Sequence, residues 1–242
     1  QGLQESMTPK ILVITGPTAS GKTELGVRCA EELNGEVVSG DSMQIYKYMD
    51  IGTAKPTPEE MRGIPHHMLS VASPFEKYSV SRYVEEAGRA VDDIISRGKT
   101  PIIVGGTGLY IDSLAAGRQF GDGLREELEK QYDALGGEAM LKILAEKDPE
   151  RAEKLHPNDK KRIVRALELA ATGETISERD RKSLEAAPRY DARYVVLGFE
   201  ERQELYDRID RRVDLMLERG LIAEVESLIK MGLTREHTAM QA

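Results

Sequence analysis

Tryptophan is absent from this chain, phenylalanine occurs only 3 times, and Cys29 is the single cysteine. A lone cysteine excludes an intrachain disulfide, which fits a reducing compartment. No apolar run approaches the roughly 20 residues of a membrane-spanning helix, so no membrane partner is expected. No secretory leader is recognisable in residues 1–6, which read as an overhang, and the cytoplasm is the expected compartment. Positive charge is also short: 34 Lys and Arg stand against 42 Asp and Glu, a net charge of −8. A nucleic-acid partner would have to be met by a local basic patch, not by the field of the whole protein.

What is present is enough for one large α/β domain, or a domain with a smaller insertion: 242 residues, 40% of them hydrophobic and 31% charged. A chain of this size buries a core without disulfide staples. The run KILVIT at 10–15 has the continuous apolar character of a buried strand. A helical pattern follows, with Leu25, Cys29 and Leu33 at four-residue spacing, Ala30 beside them and Gly35 as its expected stop. Val37-Val38-Ser39 is a second strand, and residues 41–78 read as irregular with one short helix. Ser79 caps a long helix with Val80, Tyr83, Val84, Ala87, Val91, Ile94 and Ile95 on its apolar face, ended by Gly98. TPIIV at 100–104 is another buried strand, and strand character returns at 193–199. A late helix follows, with Leu205, Ile209, Val213, Met216 and Leu217 on one side and Gly220 at its end.

Strand-helix alternation predicts a parallel sheet with right-handed crossovers. The stretch between is charge-rich, helical and almost free of strand signal. The expected fold class is α/β, a P-loop NTPase-like parallel sheet flanked by helices with an inserted small helical domain. The expected boundaries are 8–118 for the first part of the core, 119–190 for the helical insertion and 191–242 for the second part.

Gly16-Pro17-Thr18-Ala19-Ser20-Gly21-Lys22-Thr23 fits G-x-x-x-x-G-K-[ST] between a strand and a helix. Amides of such a loop wrap phosphate oxygens, and the positive end of the helix points at the same place. Lys22 adds a full charge and the Thr23 hydroxyl can take Mg²⁺. The pattern reads as binding a di- or triphosphate without saying which. Asp41 follows the second strand, where ligands of open α/β sheets bind; base, metal ligand and plain turn-former are all open. Gly105-Gly106-Thr107-Gly108 closes the next strand, and either a ligand approach or a tight turn explains it. His66-His67 has no further ligands at zinc spacing, so a structural role is expected. Lys160 to Arg165 is a compact basic cluster on a helix; its bland reading is a solvated face. Arg208 and Arg212 are four apart and read as exposed.

Taken together, these pieces resemble the tRNA dimethylallyltransferases. The resemblance is carried by GPTASGKT at 16–23, DSMQIYKYMDIGTAKP at 41–56, PHH at 65–67, PIIVGGTGLYI at 101–111, HPND at 156–159 and RIDRRVDLMLERGL at 208–221. It implies that the loop 16–23 holds the diphosphate of dimethylallyl diphosphate, with Mg²⁺ on Thr23, and that tRNA is the acceptor through its anticodon stem-loop. It implies Asp41 as general base, with Lys22, Thr107 and Arg212 completing the catalytic set. It further implies tRNA contacts from Asp41, Ser42, Met43, Gln44, Thr107, Arg125 and the strip Lys161, Arg162, Ile163, Val164 and Arg165. A monomer is expected, and the family pattern continues past Ala242, so a further C-terminal stretch is expected. The competing readings are an adenylate isopentenyltransferase, a P-loop small-molecule kinase and a non-catalytic RNA-binding module.

Overall fold

The structure, a computed structural model, describes residues 8–117, 125–171 and 188–241. It divides into two compact units, Gln1–Arg118 with Pro188–Ala242, and Gln119–Ala187. Strands β1 (Lys10–Thr15), β2 (Gly35–Ser39), β3 (His66–His67), β4 (Thr100–Val104) and β5 (Asp191–Val196) belong to the first unit. So do helices α1 (Lys22–Glu32), α2 (Pro58–Met61), α3 (Val80–Ser96) and α4 (Gly108–Ala116). The second unit holds α5 (Arg125–Leu135), α6 (Gly137–Lys147), α7 (Pro149–Glu153) and α8 (Lys160–Ala171). The chain then returns to the first unit with α9 (Arg202–Glu218) and α10 (Leu221–Lys230).

The five strands form one parallel sheet in the order β3-β2-β4-β1-β5. Side chains alternate across it. Ile14, Val37, Ile102 and Val104 pack with Ala30 of α1 in one fully apolar cluster. α3 presents Tyr83, Val84, Ala87, Val91 and Ile94 as its buried stripe, and the Ser79 hydroxyl accepts the Arg82 amide at its start. Burying an aliphatic side chain of this size is worth about 1.5–3 kcal/mol, so this stripe is what holds α3 on the sheet. No helix among the described residues is long and apolar enough to cross a membrane.

Local corrections have steric causes. Ala30 is buried, with Leu25 and Cys29 packed against its cluster as expected, but Gly26 and Val27 join the buried side of α1 and Leu33 is exposed. A side chain at position 26 would meet Val104 Cγ2 at 2.5 Å, so the glycine turns this face onto the sheet. Gly35 does not end the helix but opens β2, where a Cβ would strike the Thr100 carbonyl at 2.6 Å. Asn34 takes the left-handed turn instead, at φ 48. The two-residue strand β3 lies within the stretch read as irregular and pairs with Val37 and Val38. β5 stops at Val196 rather than 199, level with Thr15, where its partner β1 ends and turns into the loop. Of the expected apolar side of α9, Leu205, Ile209 and Met216 are half-buried while Val213 and Leu217 stay near half exposed, and none of the five is fully buried.

The second unit is built on Leu128, Met140, Leu144, Leu155, Ile163, Val164, Ala166 and Leu167. Ile163 and Val164 are each 0% exposed, so their side chains are core and cannot face RNA. Lys161 and Arg162 are exposed on α8 and Arg165 is half-buried against Glu168, so the predicted strip reduces to these three side chains.

Candidate active site

The site lies at the carboxyl ends of β1, β2 and β4. β1 runs into the phosphate loop at Gly16, whose φ is 145; a Cβ there would sit 2.5 Å from the Leu197 carbonyl oxygen. Gly21 takes the left-handed position before α1 at φ 87 and offers no side-chain cap. The first amides of α1 are left uncapped by side chains, and the positive end of the helix faces the loop. Inside the loop the Ser20 hydroxyl is buried with no hydrogen-bond partner among the described residues. The Lys22 ammonium folds onto the Pro17 carbonyl at 2.6 Å. A buried hydroxyl in want of an acceptor, a lysine and a helix N-terminus make an anion cradle.

Beyond β2, Asp41 is held by its own turn. One carboxylate oxygen, Oδ1, accepts the Met43 amide at 2.8 Å and the Gln44 amide at 3.2 Å. The GGTG turn after β4 closes against it. A Cβ on Gly105 would lie 2.3 Å from Gly40, so only glycine lets the two strand ends converge. The Thr107 hydroxyl accepts the Ser42 amide at 3.1 Å and donates to the Ser42 hydroxyl at 3.3 Å. Of the two explanations of that turn, tight closure accounts for Gly105, and Thr107 ties the closed turn to Ser42.

A cavity of about 390 Å³ joins these parts. Its wall contains the whole loop from Gly16 to Thr23, Asp41, Gln44, Gly105, Gly106 and Arg212. Arg212 is half-buried and not simply exposed. Burial lowers its pKa from the ordinary arginine value, and the Asp41 charge opposes that shift. Lys22 is lowered by burial first and by Arg212 second, against the pull of Asp41. Two cations and one carboxylate thus share a partly desolvated space. Arg208 stays exposed, yet its Nε donates to the Ala19 carbonyl at 2.8 Å and steadies the phosphate loop.

Other sequence-selected residues sort differently. Both amide hydrogens of Gln44 go to the carbonyls of Thr53 and Ala54 at 3.2 Å, and its oxygen accepts the Ser39 hydroxyl at 3.0 Å. Gln44 is a brace in the cavity wall. Ser42 and Met43 are half-buried in the Asp41 turn. His67 is structural: its Nε2 meets Glu36 at 2.8 Å. His66 instead lines the cavity, with Nδ1 on the Ile64 carbonyl at 2.8 Å. Thr53, Ala54 and Pro56 also line it. The only signal for them was their place in the run 41–56. In the second unit Lys161 is exposed, Arg162 pairs with Asp159 at 3.2 Å and Arg165 with Glu168 at 2.7 Å. The side chain of Arg125 lies outside the described residues.

Among the described residues no group of three or more His, Cys, Asp and Glu stands together to hold a metal. The hydroxyl donor of Thr23 beside an anion cradle fits a hard cation that takes most of its oxygens from a phosphate ligand and water.

The sequence matches the IPP transferase family over residues 44–242 and the isopentenyl transferase family over residues 9–75. It is 49% identical to the tRNA dimethylallyltransferase of Exiguobacterium sibiricum over 237 residues, spanning 96% of this chain and 74% of the relative. The tRNA dimethylallyltransferase of Caldanaerobacter subterraneus is also 49% identical, over 98% of this chain and 77% of its own length. The tRNA delta(2)-isopentenylpyrophosphate transferase structure from Staphylococcus epidermidis matches with a TM-score of 0.66 at 42% identity, over 97% of this chain and 77% of that one. A eukaryotic dimethylallyltransferase, captured acting on tRNA, matches with a TM-score of 0.83 at 34% identity, over 95% of this chain and 58% of that one. With a phosphate-loop site on a parallel sheet and a family match over most of its length, the chain belongs to the IPP transferase family, among the tRNA dimethylallyltransferases.

Proposed function

We propose that this protein transfers the dimethylallyl group of dimethylallyl diphosphate to N6 of the adenine 3′ of the anticodon, position 37, in tRNAs that read codons beginning with U. The product is N6-(dimethylallyl)adenosine. The observation that carries this reading is the sharing of one cavity by the phosphate loop, the Asp41 carboxylate and Arg212.

The chemistry has two demands. The adenine amine is a weak nucleophile because its lone pair is delocalised into the ring. Asp41 takes one N6 proton as the new C–N bond forms. Its Oδ1 is engaged by the Met43 and Gln44 amides, which orient the carboxylate and leave Oδ2 for the proton. The second demand is the leaving group. As the bond from the allylic carbon to the diphosphate oxygen breaks, negative charge grows on pyrophosphate. The amides at the start of α1, the Lys22 ammonium and the Arg212 guanidinium surround that charge. Thr23 would hold a Mg²⁺ ion, which supplies further charge neutralisation when bound. Thr107 acts on the base-bearing turn through Ser42. Lys161, Arg162 and Arg165 supply a basic face for the RNA backbone in a chain of net charge −8. The target base must leave the anticodon-loop stack to reach such a cavity.

The test is mass spectrometry of an adenine-containing anticodon stem-loop incubated with the protein, Mg²⁺ and dimethylallyl diphosphate. Gain of one prenyl group on that adenine supports the reading. Prenylation of free AMP without RNA, or phosphate transfer from ATP to a small acceptor, would replace it with one of the rival activities.

A further inference from the structure

Thr53, Ala54 and Pro56 of the segment from Met49 to Pro56 line the cavity, and the segment is bound both to itself and to its neighbours. The Lys55 ammonium donates to the Tyr46 carbonyl at 2.8 Å, the Asp50 carboxylate at 2.6 Å and the Ser70 hydroxyl at 2.8 Å. The Thr53 hydroxyl donates to the Met49 carbonyl at 2.6 Å, and the Ala54 amide to the Ile51 carbonyl at 2.9 Å. Lys55 thereby fixes the segment to Tyr46 and Ser70 as well as to itself.

Two further ties leave the segment. Gln44 holds the Thr53 and Ala54 carbonyls to the end of β2. On the other side is Glu224, in the first turn of α10. Its Oε2 accepts the amides of Asp50 at 2.9 Å and Ile51 at 2.8 Å, and its Oε1 accepts the amide of Gly52 at 3.0 Å. Three successive backbone amides converging on one carboxylate form an anion nest, filled here by the chain itself across more than 170 residues of sequence. Gly52 permits the approach: a Cβ there would sit 3.2 Å from Leu221.

The helix that carries Glu224 is joined to α9, which carries Arg212, through Arg219 and the left-handed Gly220 at φ 100. Arg212 and Ala54 both line the cavity, and they also share the wall of a second cavity with Thr23. The carboxylate therefore clasps the Thr53–Ala54 wall to the helix pair bearing the arginine. We propose that Glu224 is a positioning residue for diphosphate binding, which sets the gap between that wall and Arg212. It lines neither cavity. The inference rests on the diphosphate reading of the site given above.

The test is calorimetric titration of the full chain with inorganic pyrophosphate in the presence of Mg²⁺. Glu224→Ala and Glu224→Gln are expected to weaken binding about tenfold or more, the scale on which displacement of a positioned group acts. Gln cannot satisfy all three amides, because its NH₂ group faces one of them. Glu224→Asp is expected to recover part of the loss. Gly52→Ala keeps the carboxylate but presses on Leu221 at 3.2 Å and lies against Glu224 Oε1 at 3.5 Å, so it is expected to weaken binding in the same direction. Glu226→Ala, on the exposed side of α10, serves as the unaffected control. A dissociation constant unchanged in Glu224→Ala and Gly52→Ala overturns the inference. So does a loss confined to binding stoichiometry or melting temperature, which marks a merely structural contact. Failure of the unsubstituted protein to bind pyrophosphate overturns the diphosphate site itself, and this inference with it.

Discussion

The Thr107 hydroxyl accepts the Ser42 amide at 3.1 Å, and so joins the turn after β4 to the turn that carries Asp41. The pair is 65 residues apart in sequence and meets because Gly40 and Gly105 let the two strand ends touch. Thr107→Val keeps the shape and removes the hydroxyl. It leaves the Ser42 amide without its partner, at a cost of about 1–3 kcal/mol. The expected result is a fall in kcat with little change in pyrophosphate affinity, and Thr107→Ser is expected to restore most of it. Equal loss in the Ser variant would show that the methyl group, not the hydroxyl, matters.

Asp41 is best probed with Asn. The amide oxygen of Asn can still accept the Met43 and Gln44 amides, so the turn survives while the base is lost. Turnover should drop by roughly a hundred- to ten-thousand-fold, with pyrophosphate and stem-loop binding retained. Single-turnover rates on a stem-loop decide this. Retained turnover would remove Asp41 from proton transfer.

The basic face of α8 is tested by salt dependence. Ala at Lys161, Arg162 and Arg165 together should weaken stem-loop binding and flatten the plot of log affinity against log salt, since each lost phosphate contact removes about one released counterion. Lys161→Ala and Arg162→Ala should leave the fold of the second unit intact, whereas Arg165→Ala takes the 2.7 Å partner from the buried Glu168, so the double variant Lys161→Ala, Arg162→Ala is measured beside the triple one. An unchanged slope would make them a solvated face.

Stability at acid pH should report Glu36. Hydrogen bonds from Arg97 foremost, then Lys99 and His67, hold its carboxyl well below the ordinary value of 4.5 despite its burial. A depressed folded-state pKa gives stability that is complete above the unfolded value and lost as pH falls below it. Glu36→Gln should therefore cost about 2–3 kcal/mol near neutrality, with the gap to the unsubstituted protein closing below about pH 4.5. Denaturant melts at both pH values measure it. A gap that is constant with pH would mean that packing, not charge, is what Glu36 contributes.

Gln44 should behave as a brace. Gln44→Ala leaves the Thr53 and Ala54 carbonyls without their donor, so stability should fall by about 1–3 kcal/mol and pyrophosphate binding should weaken with it. Stem-loop affinity measured without the diphosphate should change least. A selective loss of RNA binding would restore Gln44 as an RNA contact.

Much of this protein is legible in its sequence because the information is local. The strand at 10–15, the loop 16–23 and the capped helix after Ser79 are each specified by neighbours within a few residues: apolar runs, glycines where φ must be positive, a hydroxyl at a helix start. Asp41 beside the loop follows from parallel topology, which brings the carboxyl ends of the strands to one edge of the sheet. What tertiary structure alone decided is which partner each polar side chain takes. His66 and His67 are adjacent and chemically identical, yet one lines the cavity and the other is tied to Glu36, because successive residues of a strand point to opposite faces. Lys161 and Arg162 stay outside while Ile163 and Val164 turn inward, a matter of where the rest of the helical unit packs. Arg212 is half-buried beside Asp41, and Glu224 fills a nest of amides from Asp50 to Gly52, only because the chain returns to the first unit after the insertion. Residues 170 positions apart leave no periodic trace of their contact; it arises when the packed core has fixed where both segments run.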